Sequence, residues 1–381
     1  MASDDVFLWA DTERSATMRH EIPIVVGDPF GYAEVGGRVF VLTSSLESAR
    51  ISAARPDAEI VEWGDMGFHD LLESGMSRQD IILEMTARAA TKMGLKDALV
   101  DPAFPLAVAD RLRADGIVLT PDHQAFSARR RAKSRAELAG IRRAQKAADA
   151  AMGAAAALLR RASIERDGLV VDGTPLTAEA VRAALRETCA AAGAPAPADI
   201  IVASVWQGFG HEAGSGPLPA NLPIQIDLWP RDEASGCWAD MTRTFVVGEV
   251  DERTRAQEAL VRDAFFGSRD AVRPGVTGRE LHAITCEVFE AAGRKTQRTG
   301  PDPEHPTDGF QFSLGHGVGL EVHEDPGLGQ SGRAALVTGD VIAIEPGLWE
   351  HDLGGVRFED LLLVTEDGCE TLTDYPYDLI P

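Results

Sequence analysis

Basic residues are in short supply in this chain: 37 lysines and arginines face 60 aspartates and glutamates, a formal charge of −23. Nucleic acid is thereby excluded as the main partner, since phosphate binding needs a basic surface. An anionic membrane surface is disfavoured for the same reason. Apolar runs are short as well. No window approaches the roughly 20 apolar residues that a membrane helix needs. Residues 1–10 include two aspartates and hold no apolar stretch long enough for a signal peptide. The four cysteines, Cys189, Cys237, Cys286 and Cys369, are scattered and form no C-x-x-C pair. That pattern fits a reducing compartment better than a disulfide framework, so a cytoplasmic protein is expected.

The chain has 381 residues, 44% of them hydrophobic, enough to bury a sizeable core without staples. At roughly 150 residues per domain, two domains are expected. Residues 23–26 and 38–43 read as strands, residues 45–54, 78–93 and 102–115 as helices, and residues 116–119 as a short strand. This predicts a small α/β domain over residues 1–130, with no recognisable chemistry in its motifs. The basic run Arg129-Arg130-Arg131-Ala132-Lys133 reads as a solvated linker. Ser134-Arg135-Ala136-Glu137 then matches a capping box and opens a helix to about residue 162, with Leu138, Ile141, Ala148 and Met152 on one face.

The second domain, residues 131–381, alternates helices and strands. Helices are predicted over 177–192 and 253–272, and from the capping box Thr277-Gly278-Arg279-Glu280 to residue 292. Strands are predicted over 199–205, 223–228, 238–247, 311–314, 341–344 and 356–364. An α+β domain with antiparallel pairing follows, and two similar α+α+β+β blocks are compatible with the order of elements.

Several of these strands carry an acid where an apolar residue belongs. Asp227 interrupts Ile224-Gln225-Ile226-Asp227-Leu228, and alternation puts it on the face opposite the isoleucines. Asp240 repeats the anomaly thirteen positions on, beyond a segment with turn composition. A hairpin there can set the two carboxylates side by side, where they repel unless a proton or cation lies between them. Glu345 follows the apolar run 341–344, and Glu359 sits within 356–364. Alone, each could be a salt-bridged acid. His316, flanked by Gly315 and Gly317, adds an imidazole where the backbone can approach a ligand closely. Four carboxylates carry about −4 and two divalent ions about +4, and bridging carboxylates hold such ions roughly 3.5–4 Å apart. Oxygen-rich ligands with one imidazole favour Mn²⁺, with Co²⁺, Zn²⁺ or Fe²⁺ as alternatives. A water bridging the pair would lose a proton near neutral pH and attack a polarised carbonyl.

Asp227, the string "ADMTRTF" around Asp240, "GHGVGLEVHEDP" around His316, "IEPG" around Glu345 and "VRFEDLLLVTEDG" around Glu359 resemble the pita-bread metallopeptidases. That family includes methionine aminopeptidase, aminopeptidase P and prolidase. The resemblance runs from about residue 134 to the end, and the preceding α/β domain is similar to the prolidase and aminopeptidase P branch. It implies an α+β fold with a small N-terminal α/β domain and a C-terminal pita-bread (creatinase/aminopeptidase-like) domain. It also implies an Xaa-Pro peptidase, dipeptidase or aminopeptidase, that acts on small peptides as a homodimer. By the same resemblance Asp227, Asp240, His316, Glu345 and Glu359 are metal ligands, and Glu345 shuttles the proton to the leaving amine. His323 and His211 are substrate-side histidines, and Arg357 braces a ligand carboxylate.

The sequence departs from the family in three places. The spacing between the two aspartates is longer than usual by an even number of positions, which keeps both acids on one face. Phe312 and Trp349 stand where proline-specific members commonly have histidine and tyrosine, in the expected substrate pocket. Those two changes motivate an alternative on the same fold: a hydrolase or lyase on a small non-peptide metabolite, as in ectoine hydrolase. A non-catalytic binding protein is a third reading, against which the complete ligand set counts.

Overall fold

The computed structural model describes residues 5–205 and 212–381. Backbone contacts divide the chain into two units, Met1–Arg130 and Arg131–Pro381. In the first, six strands form one sheet in the spatial order Ala58–Glu62, Arg38–Thr43, Phe30–Val35, Val6–Ala10, Asp97–Val100, Val118–Pro121. The middle strands pair antiparallel and the outer ones parallel. Parallel neighbours need crossovers, and helices such as Ser48–Ala54 and Leu106–Ala114 occupy them. Alternation along Val6–Ala10 feeds two cores: Phe7 and Trp9 enter one, Val6 and Leu8 the other.

Residues 23–26 are not a strand. The Thr12 hydroxyl donates to Ile24 O and accepts from Val26 N, each at 2.7 Å, and Pro23 has no N–H for a ladder. Residues 129–133 are not a solvated linker either. Arg129 pairs with Glu21 and Glu34, Arg131 with Asp340, and Lys133 with Glu324.

Both capping boxes of the second unit form, Ser134 with Glu137 and Thr277 with Glu280. The first opens the helix Arg135–Arg160, whose buried stripe of Ile141, Ala144, Ala148, Ala151, Met152, Ala155 and Leu159 follows the helical period. Leu138 is only half-buried. Small residues on that stripe let the helix pack with Ala178–Ala191 on the sheet Ile201–Ala203, Ile224–Leu228, Met241–Phe245. A second helix pair, Glu252–Asp270 and Gly278–Ala291, packs on the sheet Gly315–Gly317, Val341–Ile344, Asp360–Val364, Cys369–Thr371. Two blocks of similar design result.

Several strand expectations shift: 199–205 contracts to Ile201–Ala203 and 116–119 moves to Val118–Pro121. Residues 311–314 are irregular, and the strand starts at Gly315. The run 238–247 contracts to Met241–Phe245. The run 356–364 breaks: Gly354–Arg357 pairs with Gly347–Glu350, while Asp360–Val364 pairs with Val341–Ile344. No helix among the described residues is long and apolar enough to cross a membrane.

Candidate metal centre

The register of the first block decides where its acids point. Asp227 lies opposite Thr242 in the antiparallel pair Ile224–Leu228 and Met241–Phe245. Asp240 stands two positions before Thr242 at the entrance to that strand, so both acids share one face. Ile224, Ile226 and Leu228 go to the other face, into the core under the helices. An Arg231–Trp238 bridge closes the longer turn.

The second block supplies the rest. His316 sits opposite Ala343 at the sheet edge, and Glu345 follows the strand Val341–Ile344 with its N–H on Leu314 O at 2.8 Å. Glu359 occupies the break between two strands, where its N–H donates to Thr242 O at 3.1 Å. That bridge joins the sheets of the two blocks. The strand break is therefore what turns Glu359 towards the first block's acids.

Asp227, Asp240, His316, Glu345, Glu359 and Arg357 line one cavity of about 250 Å³. Ile201, Trp229, Val322 and His323 form further walls, with Asp199 and Ala213. One ligand atom each from Asp240, His316 and Glu359 lies within 4.8 Å of the others. His316 Nε2 is 3.7 Å from both Asp240 Oδ2 and Glu345 Oε1. The His323 ring meets that of His316 edge-on, centroids 4.2 Å apart. His211 lies outside the described residues.

Burial dominates the electrostatics. It pushes Asp240 well above the usual carboxylate range, with Glu359, Asp227 and Glu345 adding to the effect. Glu359 rises likewise, through burial and then Glu345 and Asp227. Burial lifts Glu345 to about 7 against the pull of Arg357. Burial also pushes His316 down to about 3, with His323 contributing, so its imidazole is neutral. His316 Nδ1 lies 3.1 Å from Gly317 O. A proton on Nδ1 donates there and leaves the Nε2 lone pair facing two carboxylates, the tautomer a metal ligand needs. Asp227 Oδ1 is buried with no hydrogen-bond partner among the described residues. An orphaned carboxylate oxygen, mutually repelling acids and an unprotonated imidazole nitrogen together fit a divalent cation.

Arg357 is the cation already present. It is buried, bonds Asp227 Oδ2, and lies 3.4 Å from Glu345 Oε2. Thr242, which no sequence signal singled out, accepts from Arg357 Nε at 3.1 Å and donates to Glu359 Oε2 at 2.6 Å. The walls Ile201, Trp229 and Val322 were also missed, because apolar strand and loop residues read as core. Phe312 and Trp349 do touch, ring centroids 5.2 Å apart at 75°. They do not line the cavity as the described residues bound it. Trp349 is buried over Gly355, its strand partner, and Phe312 packs against the core of the second block.

Carboxylates and a neutral imidazole gathered in a cavity between two sheets define a metal-dependent hydrolytic centre as the class. Residues 139–366 match metallopeptidase family M24, and the chain belongs to that family; divalent-metal binding comes with membership. Over 142 residues it is 40% identical to the Xaa-Pro dipeptidase of Pyrococcus furiosus, a stretch covering 37% of each chain. It is 33% identical over 145 residues to the probable dipeptidase PepE of Mycobacterium tuberculosis, covering 38% of this chain and 36% of that one. The matched stretches thus span little more than a third of these relatives. The prolidase structure from Pyrococcus horikoshii superposes with a TM-score of 0.77 at 24% identity, over 99% of this chain and 95% of that one. The Xaa-Pro dipeptidase from Bacillus anthracis gives 0.78 at 23% identity, over 99% and 94%. These likenesses show the fold: α+β, with an N-terminal α/β domain before a pita-bread domain.

Proposed function

We propose that the chain is a metal-dependent Xaa-Pro peptidase, a dipeptidase or aminopeptidase acting on small peptides. The observation that carries this reading is the convergence of Asp227, Asp240, His316, Glu345 and Glu359 on one cavity, with Asp227 Oδ1 unpartnered among the described residues. These five residues would hold two divalent ions, Mn²⁺ before Co²⁺, Zn²⁺ or Fe²⁺ on the donor set. When bound, the ions supply Lewis-acid polarisation of a carbonyl and a water acidified towards neutral pH.

The protein's own groups do the rest. Glu345, lifted to about 7 by burial, is matched to accepting a proton from the attacking water and returning it to the leaving amine. His323, beside His316 on the cavity wall, donates to the carbonyl oxygen as charge develops there. His211 takes the substrate-side role that its motif implies. Arg357 orients Asp227 and Glu345 and offsets part of their charge. Ile201, Trp229 and Val322 give the substrate an apolar wall that excludes water. A cytoplasmic homodimer completes the reading; light scattering on the eluting protein checks the dimer.

The test of the activity is Mn²⁺-loaded protein against a panel of Xaa-Pro dipeptides, with Xaa-Ala controls and an Xaa-Pro-Xaa tripeptide. Turnover of Leu-Pro or Ala-Pro, abolished by chelation and restored by Mn²⁺, is expected. Absence of turnover on every Xaa-Pro peptide sinks the specificity.

A further inference from the structure

Between Gly317 and Glu324 the chain leaves the sheet edge and returns to it. Gly317 N donates to Glu324 O and Glu324 N to Gly317 O, each at 2.9 Å. The excursion carries His323 to the wall of the cavity. Contacts from outside hold it, Val318 N to Val341 O at 2.8 Å among them. Trp238 donates its backbone N–H to Gly319 O at 2.8 Å and its indole N–H to Leu320 O at 3.2 Å. Next to His323 the loop is held by an ion pair between Lys133 Nζ and Glu324 Oε1, both side chains only 3% exposed.

Lys133 immediately precedes Ser134, the N-cap whose capping box with Glu137 fixes the start of the helix Arg135–Arg160. The pair is therefore anchored at one end to a long, well-packed helix. At the other end it grips the residue next to His323. Gly319 closes over it: a Cβ there would lie 2.5 Å from Glu324 Oε1 and 2.9 Å from Lys133 Cε. A buried ion pair is a poor source of net stability, because desolvation offsets the attraction. Its geometric effect is large, since either charge alone is costly and the partners are held together.

We propose that Lys133 is a positioning residue: its buried ion pair with Glu324 fixes the 317–324 loop and so holds the His323 imidazole in the cavity. The proposal rests on the reading of His323 as a substrate-contacting group. It makes Lys133, from a basic run, part of the support of the reaction centre.

A double-mutant cycle tests it on full-length, Mn²⁺-loaded protein with Leu-Pro. Lys133→Met is expected to lower kcat by about 10–100-fold, the usual effect of losing a supporting partner, with KM and calorimetric Mn²⁺ affinity little changed. In a His323→Ala background the same substitution is expected to change kcat by less than about twofold. Lys133→Arg, which keeps the charge, should recover part of the loss. Should Lys133→Met not fold, Glu324→Gln, which keeps the shape, runs through the same cycle. Equal losses in both backgrounds overturn the Lys133 proposal alone, whereas wild-type kcat in His323→Ala overturns the His323 reading and this proposal with it. Without any substrate, the His323 ring-proton NMR signal of Zn²⁺-loaded protein should move in Lys133→Met while that of His69, in the helix Phe68–Glu73 of the first unit, stays; an unmoved His323 signal overturns the proposal.

Discussion

Thr242 Oγ1 donates to Glu359 Oε2 at 2.6 Å, inside a bridge in which Glu359 N donates to Thr242 O at 3.1 Å. The same hydroxyl oxygen accepts from Arg357 Nε at 3.1 Å, and Arg357 continues to Asp227 and Glu345. One buried threonine thus ties together acids contributed by both sheets. It leaves Glu359 Oε1 free of that bond while fixing the carboxylate plane.

Replacing Thr242 by Val keeps the shape and removes the hydroxyl. Arg357 Nε and Glu359 Oε2 then lose a buried partner, at a cost of about 1–3 kcal/mol in stability. Mn²⁺ affinity should fall about 10–100-fold, and Thr242→Ser should retain most of it. Calorimetric titration of the two variants decides the matter: equal affinities would show that the hydroxyl does not orient Glu359.

Arg243, the neighbour of Thr242, has a structural task. Its guanidinium is fully buried, bonds Asp360 Oδ1 at 2.9 Å and donates to the carbonyls of Tyr375, Pro376, Glu359 and Thr242. Tyr377 lies against it and also donates to Asp360. Arg243→Met leaves Asp360 without its buried cation and takes the guanidinium from the carbonyls of Tyr375, Pro376 and Glu359, while Thr242 O keeps its bond from Glu359 N, so a loss of about 3–5 kcal/mol is expected. Urea denaturation measures it. Arg243→Met together with Asp360→Asn should recover part of the loss, since the orphaned charge is gone.

The legible parts of this fold have local causes. Capping boxes at Ser134 and Thr277 announce helices before any packing is known, and the acids in apolar strands stand out because an unpaired carboxylate there is costly. What stayed hidden depends on partners distant in sequence. Nothing in 356–364 marks the break at Phe358 and Glu359, because every residue there suits a strand and only tertiary pairing ends one ladder and begins another. Lys133 looks like the rest of its basic run until Glu324, 191 positions on, is folded against it. Thr242 sits in a strand whose alternation suits any β-branched residue.

The contact of Trp349 with Gly355 is local in sequence but set by the register of one hairpin. The two are strand partners, and a Cβ on Gly355 would lie 2.5 Å from Trp349 Nε1. The indole is confined between the hairpin and Phe312. Gly355→Ala is therefore expected to cost about 1–3 kcal/mol as overpacking. Trp349→Ala should cost about 3–5 kcal/mol as a cavity. In Trp349→Ala the Gly355→Ala penalty should vanish, because the clashing ring has gone. Thermal unfolding of the single and double variants checks this; additive losses would place the strain elsewhere.

Metal removal should reverse the pH dependence of stability. Burial raises Glu345 from an ordinary 4.5 to about 7. In the metal-free protein the folded state therefore holds this proton more tightly than the unfolded chain does. Below about 4.5 both states are protonated and the group costs nothing. As pH rises from about 4.5 to about 7 the unfolded chain ionises first, and stability falls by about 3 kcal/mol. Asp240 and Glu359, raised in the same direction by burial, add to the slope. Bound Mn²⁺ needs the ionised ligands, so its stabilisation grows over the same window as proton competition fades. Calorimetric unfolding with and without Mn²⁺ at pH 5 and 7.5 should show the metal-induced rise in Tm larger at pH 7.5. Metal-free Glu345→Gln should lose part of the downward slope. An unchanged slope in that variant would show that Glu345 is not the group that titrates.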